Sequence, residues 1–377
     1  MVKLGFGLFS KQGPLEPAAL RARVRRGPSF GDSIARVRPF VPSRLESVDD
    51  IEPVCPKLAP ALSWGYQLQN IDAGTVKNFD GDVVVIDSSP DGDAANAFTA
   101  GQVEAMKQRN SRQPKSVISY MSIGEANTCR AYWRKDWVNG HTTTAHAPRW
   151  LHKPNGAGWT GAWIVKFWEQ GWQDLIINNA DSELNRIIDS GFDGVYLDII
   201  DGYIYWSDSD LGPQCRPRAG NEMVTFVRRI AHHARVKRGK ANFAVIPQNG
   251  EGLLRDPRYR AVISAVGKED ILFKMAGQAN AKPKVAVRAP LGEDSVETVM
   301  SHVRLALADH IPVLAVEYLL DWPKDAPLVP QTVKDLRAMG LVPHVAVRLL
   351  DQLSPPVHPP GQQLASAQAP APRQVTL

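Results

Sequence analysis

GVYLDIID, residues 194–201, begins as a short β-rich apolar run and reaches its first acid at Asp198. A strand of this kind reads as buried on both faces, as in a parallel sheet covered by helices. The same grammar recurs in VVVID to Asp87, SVISYMSIGE to Glu125, FAVIPQNGE to Glu251, AVISAVGKE to Glu269 and VLAVE to Glu317. Helix-like stretches separate these runs, so parallel strands would deliver carboxylates to one rim, a place for acid/base chemistry.

Working outward, candidate strands fall at 64–69, 82–87, 116–121, 163–167, 194–199, 243–248, 262–266 and 312–317. Eight is the number of a (β/α)8 TIM barrel, although VPHVAVR near 342 offers a ninth. Between them, residues 221–236 place Val224, Val227, Ala231 and Ala234 at helical spacing behind Asn221 as a cap, and 295–309 do the same behind Ser295. Leu175, Ile176, Leu184, Ile187 and Ile188 fit this rule less regularly. A doubly wound open sheet competes, but it calls for a glycine-rich phosphate turn after the first strand, and SWGYQLQNIDAG is not one. The expectation is a single α/β TIM barrel over 61–351, behind an irregular basic arm at 1–60 and ahead of a disordered Pro/Ala/Gln-rich tail at 352–377.

The formal charge of +5 sits in the arms. Residues 1–60 carry ten Lys/Arg against six Asp/Glu, the tail adds Arg373, and 61–351 is neutral, so a nucleic-acid partner is not expected. Cys55, Cys129 and Cys215 lack metal or redox spacing, while Cys129 and Cys215 follow candidate strands closely enough for a disulfide to be conceivable. The opening MVKLGFGLFSKQG is too short and broken for a clear signal peptide, and no run reaches membrane-spanning length.

Strand alternation puts Gly194 and Tyr196 on the inward face with Asp198, Val83 and Val85 with Asp87, Val245 and Pro247 with Glu251, and Val313 and Ala315 with Glu317. Two facing carboxyl groups suffice for glycoside hydrolysis, one attacking the sugar or activating water and the other protonating the leaving oxygen. Such an enzyme needs no cofactor. Trp133, Trp137, Trp150, Trp159, Trp163, Trp168, Trp172 and Trp206 crowd one region, where they could stack on sugar faces or simply pack. His141, His146, His152, His232 and His233 show no strand-end ligand pattern, so no metal is expected, and a GxSxG elbow is absent.

SYMSIGEAN followed by Tyr132-Trp133, then GFDGVYLDIIDGY, VIPQNGE and VLAVEYL, resembles the TIM-barrel domain of glycoside hydrolase family 114, the endo-α-1,4-polygalactosaminidases, from about Trp64 to Asp351. The resemblance implies a retaining glycosidase with Asp198 as nucleophile and Glu251 as acid/base, the latter protonated through a raised pKa. It further implies a substrate cleft lined by Trp64, Tyr66, Asp87, Tyr120, Glu125, Asp201, Asn249, Glu269 and Glu317. Its partner would be a cationic amino-sugar polysaccharide, handled by a monomer in a secreted or extracytoplasmic setting. One departure is Asn127, where the family often carries an acid after GEA. Two rivals stay open on the residues: an idle barrel that only binds polysaccharide, and a metal-dependent polysaccharide deacetylase.

Overall fold

The computed structural model describes residues 55–58, 63–109, 113–155, 161–275, 286–288, 295–321 and 325–359. Among these, eight parallel strands form the centre: β1 Trp64–Gln67, β2 Val83–Ile86, β3 Ser116–Ser122, β4 Gly194–Asp198, β5 Ala244–Pro247, β6 Val266–Glu269, β7 Val313–Tyr318 and β8 Val342–Ala346. Strands β1 to β5 pair side by side in chain order, and so do β6 to β8. The two sheets meet at both edges. A Gln248–Gly267 bridge joins β5 to β6, and Trp64 Nε1 donates to Val342 O at 3.0 Å between β1 and β8. The result is the expected barrel architecture, with one stave drawn from a different place.

The expected strand at 163–167 lies off the barrel: Ala162–Val165 pairs antiparallel with Glu125–Asn127 and with Leu151–Pro154 in a separate three-stranded sheet. Its apolar residues are needed there to cover Trp137, Trp150 and Trp172. The spare candidate near 342 supplies the eighth stave instead. The sixth stave also begins later than the apolar pattern indicates, since 262–265 turns before pairing starts at Val266.

Alternation sorts the staves into two layers. Trp64, Tyr66, Val83, Val85, Ile118, Tyr196, Ala244, Ile246, Leu314, Val316, Tyr318, Val342 and Ala346 fill the barrel interior. Val84, Ile86, Val117, Val195, Leu197, Val245, Val313 and Ala315 face the outer layer. There they meet helices such as α1 Ala219–His232 and α2 Val296–Ala308, whose buried stripes include Val224, Val227, Ala231, Val299 and Val303. Each fully buried aliphatic side chain is worth about 1.5–3 kcal/mol, so this double-sided burial carries the fold. Ser295 caps α2 by accepting from Thr298 N, whereas Asn221 lies inside α1 behind Arg218 rather than capping it.

Most of the 1–60 arm and the end of the tail lie outside the described residues. The pieces that are described rest on the barrel. Leu58 N donates to Ser264 O at 3.2 Å, Cys55 Sγ reaches Ile263 O, and Arg337 donates to the carbonyl of His358. All three cysteines are free, Cys129 and Cys215 included. Among the described residues no helix is long and apolar enough to cross a membrane.

Candidate active site

Over the carboxyl ends of the staves opens a cleft of about 350 Å³, within the range of small-ligand sites. Of the residues expected to form it, Tyr66, Tyr120, Glu125, Asp198, Asp201, Asn249 and Glu269 line its wall. Trp64, Asp87, Glu251 and Glu317 are not among its lining residues.

Asp198 ends β4, and both its oxygens are held. Tyr120 OH donates to Oδ2 at 2.6 Å and Ile199 N donates to Oδ1 at 2.7 Å. The second contact requires a sharp bend, and Ile199 takes φ 56°, a genuine outlier for a β-branched residue and the kind of strain that collects at functional sites. Gly124 allows that bend to be covered, because a Cβ there would lie 2.2 Å from Ile199 O. Burial and then the neighbouring Glu269 push the Asp198 carboxyl up to about 6, against the two hydrogen bonds that favour its ionised form.

Glu269 ends β6 on the inward face, two residues beyond Gly267. Tyr318 OH donates to its Oε1, and Asn249 Nδ2 donates to Oε2 at 3.0 Å. Glu125, from the antiparallel sheet, accepts from Asn155 Nδ2 and is raised to about 8 by burial and then by Asp198. Asp201, following β4, is raised to about 7 by burial and then by Asp198. Like charges crowded into one partly dry mouth cannot all ionise freely, so Glu125 and Asp201 hold protons near neutrality.

The remaining expected residues sit elsewhere for definite reasons. Trp64 is fully buried in the barrel interior, 6.0 Å from the Tyr66 ring. Asp87 shares the inward face, but Arg130 takes both its oxygens at 2.9 and 2.6 Å, and the guanidinium, not the acid, meets the cleft. Glu317 shares its face with Val313 and Ala315, which is the outer one. Its carboxylate accepts from Leu272 N at 2.7 Å and Phe273 N at 3.2 Å, with no exposure.

Glu251 requires the largest correction. Asn249 and Gly250 are both left-handed, at φ 57° and 62°, so strand parity is lost before Glu251 is reached, and Val245 faces outward. The carboxylate lies 3.5 Å from Lys268 Nζ. Burial is the largest influence and pushes Glu251 up, but Lys268, its own backbone N–H and His302 together outweigh it and hold the group below its usual range. The raised pKa expected for this residue is therefore reversed.

A family model described as glycoside-hydrolase family GH114 matches residues 51–355. The chain belongs to GH114. An uncharacterized protein of Deinococcus radiodurans is 33% identical over 305 residues, covering 79% of this chain and 85% of that one. The glycoside hydrolase domain of PelA from Pseudomonas aeruginosa shares the fold at TM-score 0.56 and 18% identity, covering 77% of this chain and 96% of that domain. As a GH114 member the chain is a glycoside hydrolase.

The aromatic character of this GH114 cleft comes from Tyr66, Tyr120, Tyr132 and Tyr318. Trp137, Trp150, Trp163, Trp172 and Trp206 are buried in edge-on and tilted contacts with one another or with their neighbours. Trp159 lies outside the described residues. Sequence reading passed over Arg130, Asn155, Tyr318 and Arg348, all set around the cleft. Tyr318 could have been found, since it follows Glu317 on an alternating strand and must face the other way. Among the described residues no three His, Cys, Asp or Glu side chains converge to hold a metal.

Proposed function

We propose that this GH114 chain is a retaining endo-glycosidase of α-1,4-linked, galactosamine-containing exopolysaccharide, with Asp198 as nucleophile and Glu269 as acid/base. The observation that carries the assignment is that Asp198 and Glu269 line one cleft, with Glu269 near enough to raise the Asp198 carboxyl. An Asp198 oxygen would bond to the anomeric carbon as the glycosidic C–O bond breaks, and Glu269 would give its proton to the departing oxygen. Glu269 would then take a proton from water as that water displaces Asp198, closing the cycle. A mouth holding Glu125, Asp198, Asp201 and Glu269 would attract and hold the ammonium groups of a deacetylated polymer, despite the basic arms. The family motif favours Glu251 for the proton-transfer role, but its ion pair with Lys268 and its place behind the Asn249–Gly250 turn favour Glu269.

Mass spectrometry of products from partly deacetylated α-1,4-galactosamine polymer tests the activity, and proton NMR of the first-formed anomer tests retention. Asp198→Asn and Glu269→Gln are expected to lower kcat by about 10²–10⁴ or more. Azide should restore turnover to Glu269→Ala as a glycosyl azide of retained configuration. Azide rescue of Glu251→Ala instead would return the role to Glu251. Binding without new reducing ends would mark an idle barrel, and acetate release that chelators abolish would mark a deacetylase.

A further inference from the structure

We infer that Lys268 and Glu251 are positioning residues for Glu269, acting through the side-chain amide of Asn249; this rests on reading Glu269 as the acid/base.

Lys268 lies between Gly267 and Glu269 on β6, and its strand partner Ala315 belongs to the outer layer. Its side chain therefore rises behind the wall of the cleft, where it is 8% exposed. The ammonium stands 3.2 Å from Asn249 Oδ1 and 3.5 Å from Glu251 Oε2. Asn249, fixed in a left-handed turn at φ 57°, reaches through to the inner side, where its Nδ2 donates to Glu269 Oε2 at 3.0 Å. Glu269 N also donates to Asn249 Oδ1, at 3.3 Å.

These contacts admit one amide orientation. An ammonium and a backbone N–H only donate, and an ionised carboxylate only accepts. Turning the amide over would set its NH2 group against two donors and its carbonyl against the carboxylate. Lys268, with the Glu269 N–H, thus fixes which end of Asn249 meets the acid. Glu251 supplies the counter-charge that lets a lysine stay buried there, since an unpaired buried charge is costly. With Tyr318 on the other oxygen, the Glu269 carboxyl is held at a defined angle to the bond it would protonate.

The charged and titratable groups around Glu269 are Asp198, Asp201, Tyr66, Tyr196, Tyr318, Arg348, Asp270 and Lys268. Around Glu251 they are Lys268, Asp201, Tyr203 and, from α2, His302. Of all these, Lys268 is the cation common to both, and that sets the direction of the effects. Deleting its positive charge makes Glu269 a weaker acid. Deleting Glu251 leaves the ammonium uncompensated and makes Glu269 a stronger one.

The test is the pH dependence of kcat on α-1,4-galactosamine oligomers for wild type, Lys268→Met, Glu251→Gln and Asn249→Ala. Lys268→Met is expected to move the high-pH limb upward and Glu251→Gln to move it downward, each by about one pH unit. In both, kcat should fall more than KM rises. Asn249→Ala should lower kcat and cancel most of the effect of adding Lys268→Met. Limbs that stay in place, or move the same way in both variants, would overturn the inference, because a merely structural ion pair gives lost stability without opposed shifts. If Lys268→Met does not fold, Glu251→Gln decides by itself: a limb that fails to move downward overturns it. An active Glu269→Gln enzyme would instead defeat the underlying assignment, which keeps the two failures distinct.

Discussion

Tyr120 and the amide of Ile199 divide the two oxygens of Asp198 between them, at 2.6 and 2.7 Å. Both bonds favour the ionised carboxylate, while burial and Glu269 oppose it and leave the group at about 6. Activity should therefore fall as pH drops through about 6, because a protonated nucleophile cannot attack. Tyr120→Phe removes one favourable bond, so the low-pH limb should move upward, with kcat at pH 6 down by about tenfold, the scale of one charge-assisted hydrogen bond. A pH–kcat profile checks this, and an unmoved limb would deny Tyr120 its part. Asp198 was legible because an unbroken apolar strand runs straight into it, and parity holds to the last residue. Parity could not separate Glu251 from Glu269. The left-handed pair Asn249–Gly250 interrupts the count at one, whereas Glu269 ends a regular strand whose sequence, VGKE, hardly looks apolar.

At the scale of elements, the cleft is a barrel rim completed by an insertion. The three-stranded sheet brings Glu125 to the mouth through pairing with Ala162–Val165, and the sheet rests on Trp137, Trp150 and Trp172. Trp150 is 4% exposed, with ring centroids 5.2 Å from Trp137 and 4.9 Å from Trp172. Trp150→Ala should cost about 3–5 kcal/mol of stability, measured by urea unfolding. Asp198 is fixed from β3 and its own backbone, so the low-pH limb of the surviving activity should stay in place. A shifted limb would mean that the insertion also tunes the nucleophile. This sheet was read as a stave because an apolar run looks alike whether its partner is parallel or antiparallel. The distinction rests on pairings far apart in the chain, such as Glu125 with Ile164, and no local pattern encodes them. The tryptophans misled for a related reason: a small sheet off the main core needs large side chains to bury enough surface, so their density marked packing.

For the whole molecule, the buried groups titrate against one another, and the balance predicts an uncommon stability profile. Burial raises Glu125 to about 8, Asp201 to about 7 and Glu317 to about 8. Burial lowers His344 to about 3 and His233 to about 4. Below about pH 6.5 the unfolded chain protonates histidines that the folded chain keeps neutral, which favours a rise of stability with pH, while the three carboxyls, ionised in the unfolded chain above about pH 4.5 but protonated in the folded one, favour a fall and offset that rise. Above it the histidines no longer differ between the two states, while the folded carboxyls still hold protons that the unfolded chain has released. The folded state then binds more protons, and stability falls as pH climbs through the 7–8 range of these carboxyls. Tm should change less between about pH 5 and 6.5, where the two sets oppose each other, than above it, and should drop by several degrees from pH 6.5 to 8.5, a size set by the roughly 1.4 kcal/mol that accompanies each tenfold change in a group's acidity on folding. Glu125→Gln should flatten the alkaline decline by removing one of the three contributors. A cationic galactosamine oligomer should flatten it too, by stabilising the ionised mouth, and should bind with release of protons between pH 6 and 8. Calorimetry in two buffers of different ionisation enthalpy measures that release. A Tm rising steadily to pH 8.5, or binding without proton exchange, would mean that the carboxyls of the cleft ionise independently.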